Sequence, residues 1–236
     1  MKRLALWLPL VLVAALFASA RAQDAGVPST SCTVTAKVDV VSPLPLLPGE
    51  PLDLNLRITN PGASPIQFYR PSEETGSVQL FLSSDAAPGV FKTYQGPSWG
   101  MLDAVRFPKT LSSKASYDLP LRVLHQVWRE PFALNAPGTY VVKIAYQDGL
   151  ACKEPLKTPQ FNVKVSAPTG SDLAVWTSIK DCSGCAFFLH TGVARSRQSD
   201  QDAVSLLRRL AKQYPKSRYA RFIRKQLAAL DEKSGH

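Results

Sequence analysis

Histidine is scarce in these 236 residues, and the three present, His125, His190 and His236, show no metal-ligand spacing with acids or cysteines. No glycine-rich phosphate loop occurs, and no serine or cysteine nucleophile stands with its base in a defined motif. These absences set the expectation of no metal, no cofactor and no enzyme. Long apolar runs are also lacking, with one exception from Leu4 to Leu16, which is too short for a comfortable membrane span. Lys2 and Arg3 precede it and Ala20-Arg21-Ala22 follows, so residues 1–22 read as a signal peptide cleaved after Ala22. No cysteine lies near that point, so lipid acylation is not expected. The reading is a periplasmic or secreted protein with no membrane span after cleavage.

What is present favours short strands. Nineteen prolines and 13 glycines accompany a hydrophobic content of 45%. Residues 23–33 form a polar lead-in. The clearest strand lies in APGTYVVKIAYQD, where Pro137 and Gly138 supply a turn. Tyr140, Val142, Ile144 and Tyr146 then fall on one face and Val141, Lys143, Ala145 and Gln147 on the other. Val34, Ala36, Val38 and Val40 alternate in the same way before a proline-rich link. Leu52, Leu54, Leu56 and Ile58 do so after it, ending at Asn60-Pro61-Gly62. Further strands are expected at 66–69, 78–82, 105–107, 117–123 and 161–165. The stretch 86–100 is irregular, and its Phe91, Tyr94 and Trp99 are expected to cap the core or form an exposed loop surface.

From about Ser171 the period changes to that of helices. Short helices are expected at 172–179 and 186–190. Ser199 reads as the N-cap of a longer one carrying Ala203, Leu206, Leu207, Leu210 and Tyr214. Pro215 ends it, and Ser217 caps a partner with Tyr219, Ala220, Ile223, Leu227 and Leu230 on its apolar face. Leu206, Leu210, Ile223 and Leu227 are expected to be buried between the two. A pair this short is marginal in water, so it is expected to dock on its surroundings without building a second core.

Two resemblances follow. PGEPLDLNLRITNPGASPIQF and PFALNAPGTYVVKIAY are similar to bacterial immunoglobulin-like domains, including the family named for an intracellular proteinase inhibitor. The resemblance implies an antiparallel β-sandwich over 34–167. Gly138-x-Tyr140 fits the start of a tyrosine corner, with the Tyr140 hydroxyl bonded to nearby backbone. AVSLLRRLAKQYPKSRYARFIRKQLAAL resembles a single tetratricopeptide helix pair over 199–230, within a helical region at 171–236. In an immunoglobulin-like sandwich the first strand commonly runs parallel to the last. That would bring Cys32 towards the loop holding Cys152 and leave Cys182 to pair with Cys185. A bridge from Cys32 or Cys152 to the Cys182–Cys185 motif is the competing arrangement.

Cys182-Ser183-Gly184-Cys185 is the one motif that could carry catalysis. If Asp181 caps a helix opening at Cys182, its N-terminus would stabilise a thiolate. No βαβ unit precedes it, so a local structural disulfide is the expected reading. Removing residues 1–22 takes away three basic residues and no acids, lowering the net charge from +10 to +7. Of that, +6 belongs to 171–236. Arg208, Arg209, Lys212, Arg218, Arg221, Arg224 and Lys225 are the candidate face for an anionic partner. The partner expected is another envelope or secreted protein or an anionic surface, with nucleic acid the weakest. The leading expectation is a non-catalytic binding or scaffolding protein. The alternatives are a protease inhibitor acting through 86–100, and a thiol-disulfide redox protein.

Overall fold

The computed structural model describes residues 32–73, 76–97, 107–127, 130–194 and 197–234. The expected signal peptide, most of the lead-in, Trp99, residues 105–106 and His236 lie outside them. Among the described residues, β1 (Thr35–Val40), β2 (Leu52–Thr59), β3 (Ile66–Tyr69), β4 (Val78–Ser84) and β5 (Lys92–Thr93) come first. They are followed by β6 (Pro108–Leu111), β7 (Ser116–Val123), β8 (Gly138–Tyr146), β9 (Leu156–Lys157) and β10 (Phe161–Val165). Helices α1 (Gly170–Ile179), α2 (Ser183–Thr191), α3 (Gln198–Gln213) and α4 (Arg218–Ser234) complete the chain. The fold is β-rich, with antiparallel sheets and C-terminal helices.

One sheet has the order β1-β2-β7 and the other β10-β8-β4-β5, with β9 also on β8. β3 and β6 make a separate pair. The alternation in β2 decides what each face does. Leu52, Leu54, Leu56 and Ile58 are buried, while Asp53, Asn55 and Arg57 take the other side. Leu80, Val142, Ile144, Tyr146 and Val163 of the second sheet belong to the same core cluster. Full burial of side chains of this size stabilises by about 1.5–3 kcal/mol each. Pro120 lies within β7, opposite Asn55. That is tolerated because β7 is an edge strand and needs a ladder on one side only.

Two linking segments make contacts with the sheets, and at Tyr94 capping of the core is the alternative observed. Over 86–97 the chain is pinned to the sheet: β5 pairs with β4, and Tyr94 is buried. The Tyr94 hydroxyl donates to Arg122 O at 3.3 Å and accepts from Leu124 N–H at 3.3 Å, so both bonds satisfy the polar tip while the ring is buried. Phe91 is half-buried, with Lys143 Nζ 3.5 Å from its ring centre. The proline-rich link also carries ladder bonds. Leu46 N–H donates to Lys164 O at 3.0 Å, and Leu46 O accepts from Ser166 N–H at 2.8 Å, forming a parallel bridge to β10. The chain from β1 through Leu46 therefore runs in the direction of β10. Its start falls beside the β8–β10 connection, where Cys32 is bonded to Cys152. Cys182 is bonded to Cys185.

Helix boundaries differ from the sequence reading where tertiary contacts set them. α2 opens at Ser183 because Cys182, not Asp181, is the N-cap, its Sγ accepting from Cys185 N–H at 3.1 Å. Ser199 lies inside α3, whose N-cap position is Arg197 with no side-chain bond. Asp200 is the acid of the first turn, and it is buried. Packing on α2 fixes this start: a Cβ added to Gly184 would meet Ser199 O at 3.2 Å and Ala203 Cβ at 3.0 Å.

The helices also build a second core, against expectation. Leu207, Leu210, Ile223 and Leu227 are buried with Val175, Ile179, Phe188 and Leu189, whereas Leu206 is only partly buried. The four helices together supply what the α3–α4 pair alone lacks. Leu47, Leu124 and Phe132 of the β region complete the cluster, so the two cores meet at one junction. α3 and α4 lie antiparallel, with Arg208 paired to Asp231 across the seam and the Arg224 guanidinium donating to Pro215 O at 3.3 Å.

Candidate functional site

The junction is organised by Trp176 of α1. Its ring packs edge-on to Phe132 at 5.3 Å and stacks on Tyr219 of α4 at 6.4 Å. Gly49 passes beneath it with φ +73°, and a Cβ there would lie 2.4 Å from Trp176 Cζ3. Only glycine accepts both that backbone angle and that approach. The Tyr219 hydroxyl donates to Pro48 O at 2.6 Å. Glu50 accepts from Leu47 N–H at 2.7 Å and from Arg218 Nη2 at 2.5 Å, and Arg218 Nη2 also donates to Pro45 O at 3.1 Å. Burial pushes the Glu50 carboxyl above its usual value, outweighing what Leu47 N–H and Arg218 return. Asp172 of α1 accepts from Ser217 Oγ at 2.7 Å and Arg218 N–H at 2.8 Å, placing a carboxylate at the α4 N-terminus.

Beside the junction lies a cleft of about 520 Å³ between the outer face of β2–β7 and the end of α2, lined by Asp53, Asn55, Pro120, Arg122 and His190 among others. Arg122 Nε donates to Asp53 Oδ1 at 2.6 Å, so the two charges largely cancel. The Phe222 ring of α4 lies 6.0 Å from the Arg122 guanidinium carbon. His190 Nδ1 accepts from His125 N–H at 3.3 Å. Burial first, then the Arg122 charge and His125, lower the His190 pKa to about 4. The ring is therefore neutral near pH 7, with its proton on Nε2. Among the described residues that line the cleft, the polar side chains are a carboxylate, an amide, a guanidinium and an imidazole.

The structure places the Cys182–Cys185 bond at the start of α2, with Cys185 fully buried and Cys182 partly exposed. Tyr140 lies at the start of β8, its hydroxyl donating to Ala136 O at 3.1 Å and accepting from Ala136 N–H at 3.2 Å. The seven candidate cations differ in their internal bonds. Arg208, Arg218 and Arg224 are engaged by Asp231, Glu50 and Pro215 O. Arg209, Lys212, Arg221 and Lys225 are exposed and have no bond or ion pair among the described residues.

Sequence reasoning missed the Glu50–Arg218 pair, Gly49 under Trp176, and the meeting of His125 with His190. The available signal for the first two was a glycine and an acid set within a proline run that otherwise reads as a spacer. For the histidines, 65 residues apart, there was none.

Two disulfides fit an oxidising, extracytoplasmic environment. No helix among the described residues is long and apolar enough to cross a membrane. No protein-family model matches the chain, and no curated protein does. Among solved structures, the chain is similar to the Pseudomonas fluorescens alkylpurine DNA glycosylase AlkC bound to DNA containing an abasic site analog. The identity is 15%, covering 58% of this chain and 31% of that one, with a TM-score of 0.35. A β-glucosidase from Listeria innocua in complex with gluconolactone is 14% identical over 56% of this chain and 16% of its own, with a TM-score of 0.33. The CARDB domain of a Pyrococcus furiosus protein in complex with di-metal ions is 10% identical over 57% and 93%, with a TM-score of 0.30. The chain thus spans under a third of the first two proteins' lengths. Likenesses this weak carry no argument about activity.

Proposed function

We propose that this is an exported, non-catalytic binding protein. In this reading an immunoglobulin-like β-sandwich (34–167) carries a helical region (171–236) with a tetratricopeptide-like pair, and residues 1–22 direct export. The partner is an acidic segment of another exported protein, taken by Arg209, Lys212, Arg221 and Lys225. One observation carries the proposal: these four cations stand exposed and without an ion pair among the described residues, while the neighbouring arginines are committed to internal bonds. Exposed, unpaired cations on rigid helices attract anions at long range, and salt screens that attraction.

The test is binding of a glutamate-rich peptide to the mature protein, measured against salt. The wild type should bind, with affinity falling as salt rises. R209E/K212E/R221E/K225E should weaken binding by about tenfold or more at low salt, through lost attraction and added repulsion. Equal binding by the two proteins, or binding insensitive to salt, removes the proposal.

A further inference from the structure

The two disulfides differ in what surrounds their accessible sulfurs. Cys32 Sγ lies 3.4 Å from a carbonyl oxygen, Glu154 O. Cys182 Sγ lies 3.1 Å from an amide donor, Cys185 N–H, at the N-terminus of α2. Negative charge developing on sulfur is therefore repelled at Cys32. At Cys182 it is met by a hydrogen-bond donor and the positive end of the helix dipole. The inner sulfur of the motif is closed off. Cys185 is fully buried, with its Sγ 4.0 Å from Ala203 O, and bare Gly184 lets α3 seat against the motif. A thiol from outside can thus reach one sulfur of this pair and not the other.

We propose that Cys182–Cys185 is a thiol-disulfide exchange site that accepts electrons from a protein dithiol. A substrate thiolate attacks Cys182 Sγ, forming a mixed disulfide. The Cys182–Cys185 bond breaks, and Cys185 leaves with the electron pair and takes up a proton as it leaves, since burial beside Ala203 O favours the neutral thiol, which can donate to that oxygen. The second substrate thiol, deprotonated, attacks the substrate sulfur of the mixed disulfide and expels Cys182 as a thiolate stabilised by Cys185 N–H. Protonation of Cys182 completes the exchange. The substrate dithiol becomes a disulfide, and the motif holds its two electrons and two protons. The exchange is a single stoichiometric event that ends with the motif reduced, so it adds no turnover to the proposed binding function, and it is independent of the cationic residues.

The experiment exposes the folded mature protein to limiting dithiothreitol, alkylates free thiols over time and maps them by mass spectrometry. Cys182 should become labelled about tenfold or more faster than Cys32, the partly exposed sulfur of the other bond. Equal rates, earlier opening of Cys32–Cys152, or resistance of both bonds overturns the proposal. As a second arm, C185S should form a mixed disulfide with oxidised glutathione at Cys182, while C182S, leaving only buried Cys185, should react about tenfold or more slowly. Equal reactivity of the two variants counts against it. R209E/K212E/R221E/K225E should leave both readouts unchanged, which separates this site from the binding face.

Discussion

Replacing Arg218 with Met leaves the Glu50 carboxylate without its cation in a site where 10% of its side chain is exposed. Leu47 N–H at 2.7 Å would be its remaining donor. Breaking a buried pair on one side costs about 3–5 kcal/mol. Because the Arg218 side chain is 43% exposed, the lower end applies, about 3 kcal/mol near pH 7. The sign of the pH dependence follows from the direction of the Glu50 shift. Its folded pKa already lies above the unfolded value of 4.5, and loss of Arg218 raises it further. The unfolded chain releases this proton first, so the variant is penalised progressively as pH rises above about 4.5 and recovers below it. Urea unfolding followed by far-ultraviolet circular dichroism at pH 5 and pH 7 reads this directly. At about 2–3 kcal/mol per molar urea, the midpoint should fall by roughly 1 M or more at pH 7 and by less at pH 5. E50Q/R218M should be more stable than R218M at pH 7, because the amide removes the buried charge. A double variant no more stable than R218M, or a loss independent of pH, would refute the reasoning.

Gly49→Ala combines a φ of +73° with a 2.4 Å approach to Trp176, so it should destabilise by more than about 2 kcal/mol in the same urea assay. His190 has a folded pKa lowered from 6.5 to about 4, so its contribution is present above pH 6.5 and lost as pH falls towards 4. The difference in urea midpoint between wild type and His190→Asn should change with pH across that window, by up to roughly 3 kcal/mol in free energy. A constant difference would show that His190 is not held neutral by its surroundings.

Legibility in the sequence followed the range of the forces involved. β2 and β8 could be read because period-two alternation is local, and the expected 66–69 and 161–165 coincide with β3 and β10. The apolar faces of α3 and α4 were visible for the same reason, though their setting was not. β5 and β9, two residues each, are too short to show any period and exist only because a neighbouring strand is there. The start of α3 is fixed by contact with Gly184 of α2, which no capping rule within α3 contains. Charge was readable as a total but not as a pattern of commitments. Arg218 and Arg221 are alike in sequence, yet one is tied to Glu50, 168 residues earlier, and the other faces solvent.

The bond between Cys32 and Cys152, 120 residues apart, turns most of the β region into a closed covalent ring. Cutting a ring once yields two ends and no fragment. A protease that clips the chain anywhere between those cysteines therefore releases nothing. The severed strands stay at high local concentration and can re-pair on the same core. A clip between Cys152 and α1 has no such protection, because beyond the ring the helices are joined to the β region by a single strand of backbone. Under proteolytic attack, the vulnerable point of this architecture is thus the short passage from sheet to helix, where only the junction around Trp176 would hold the halves together.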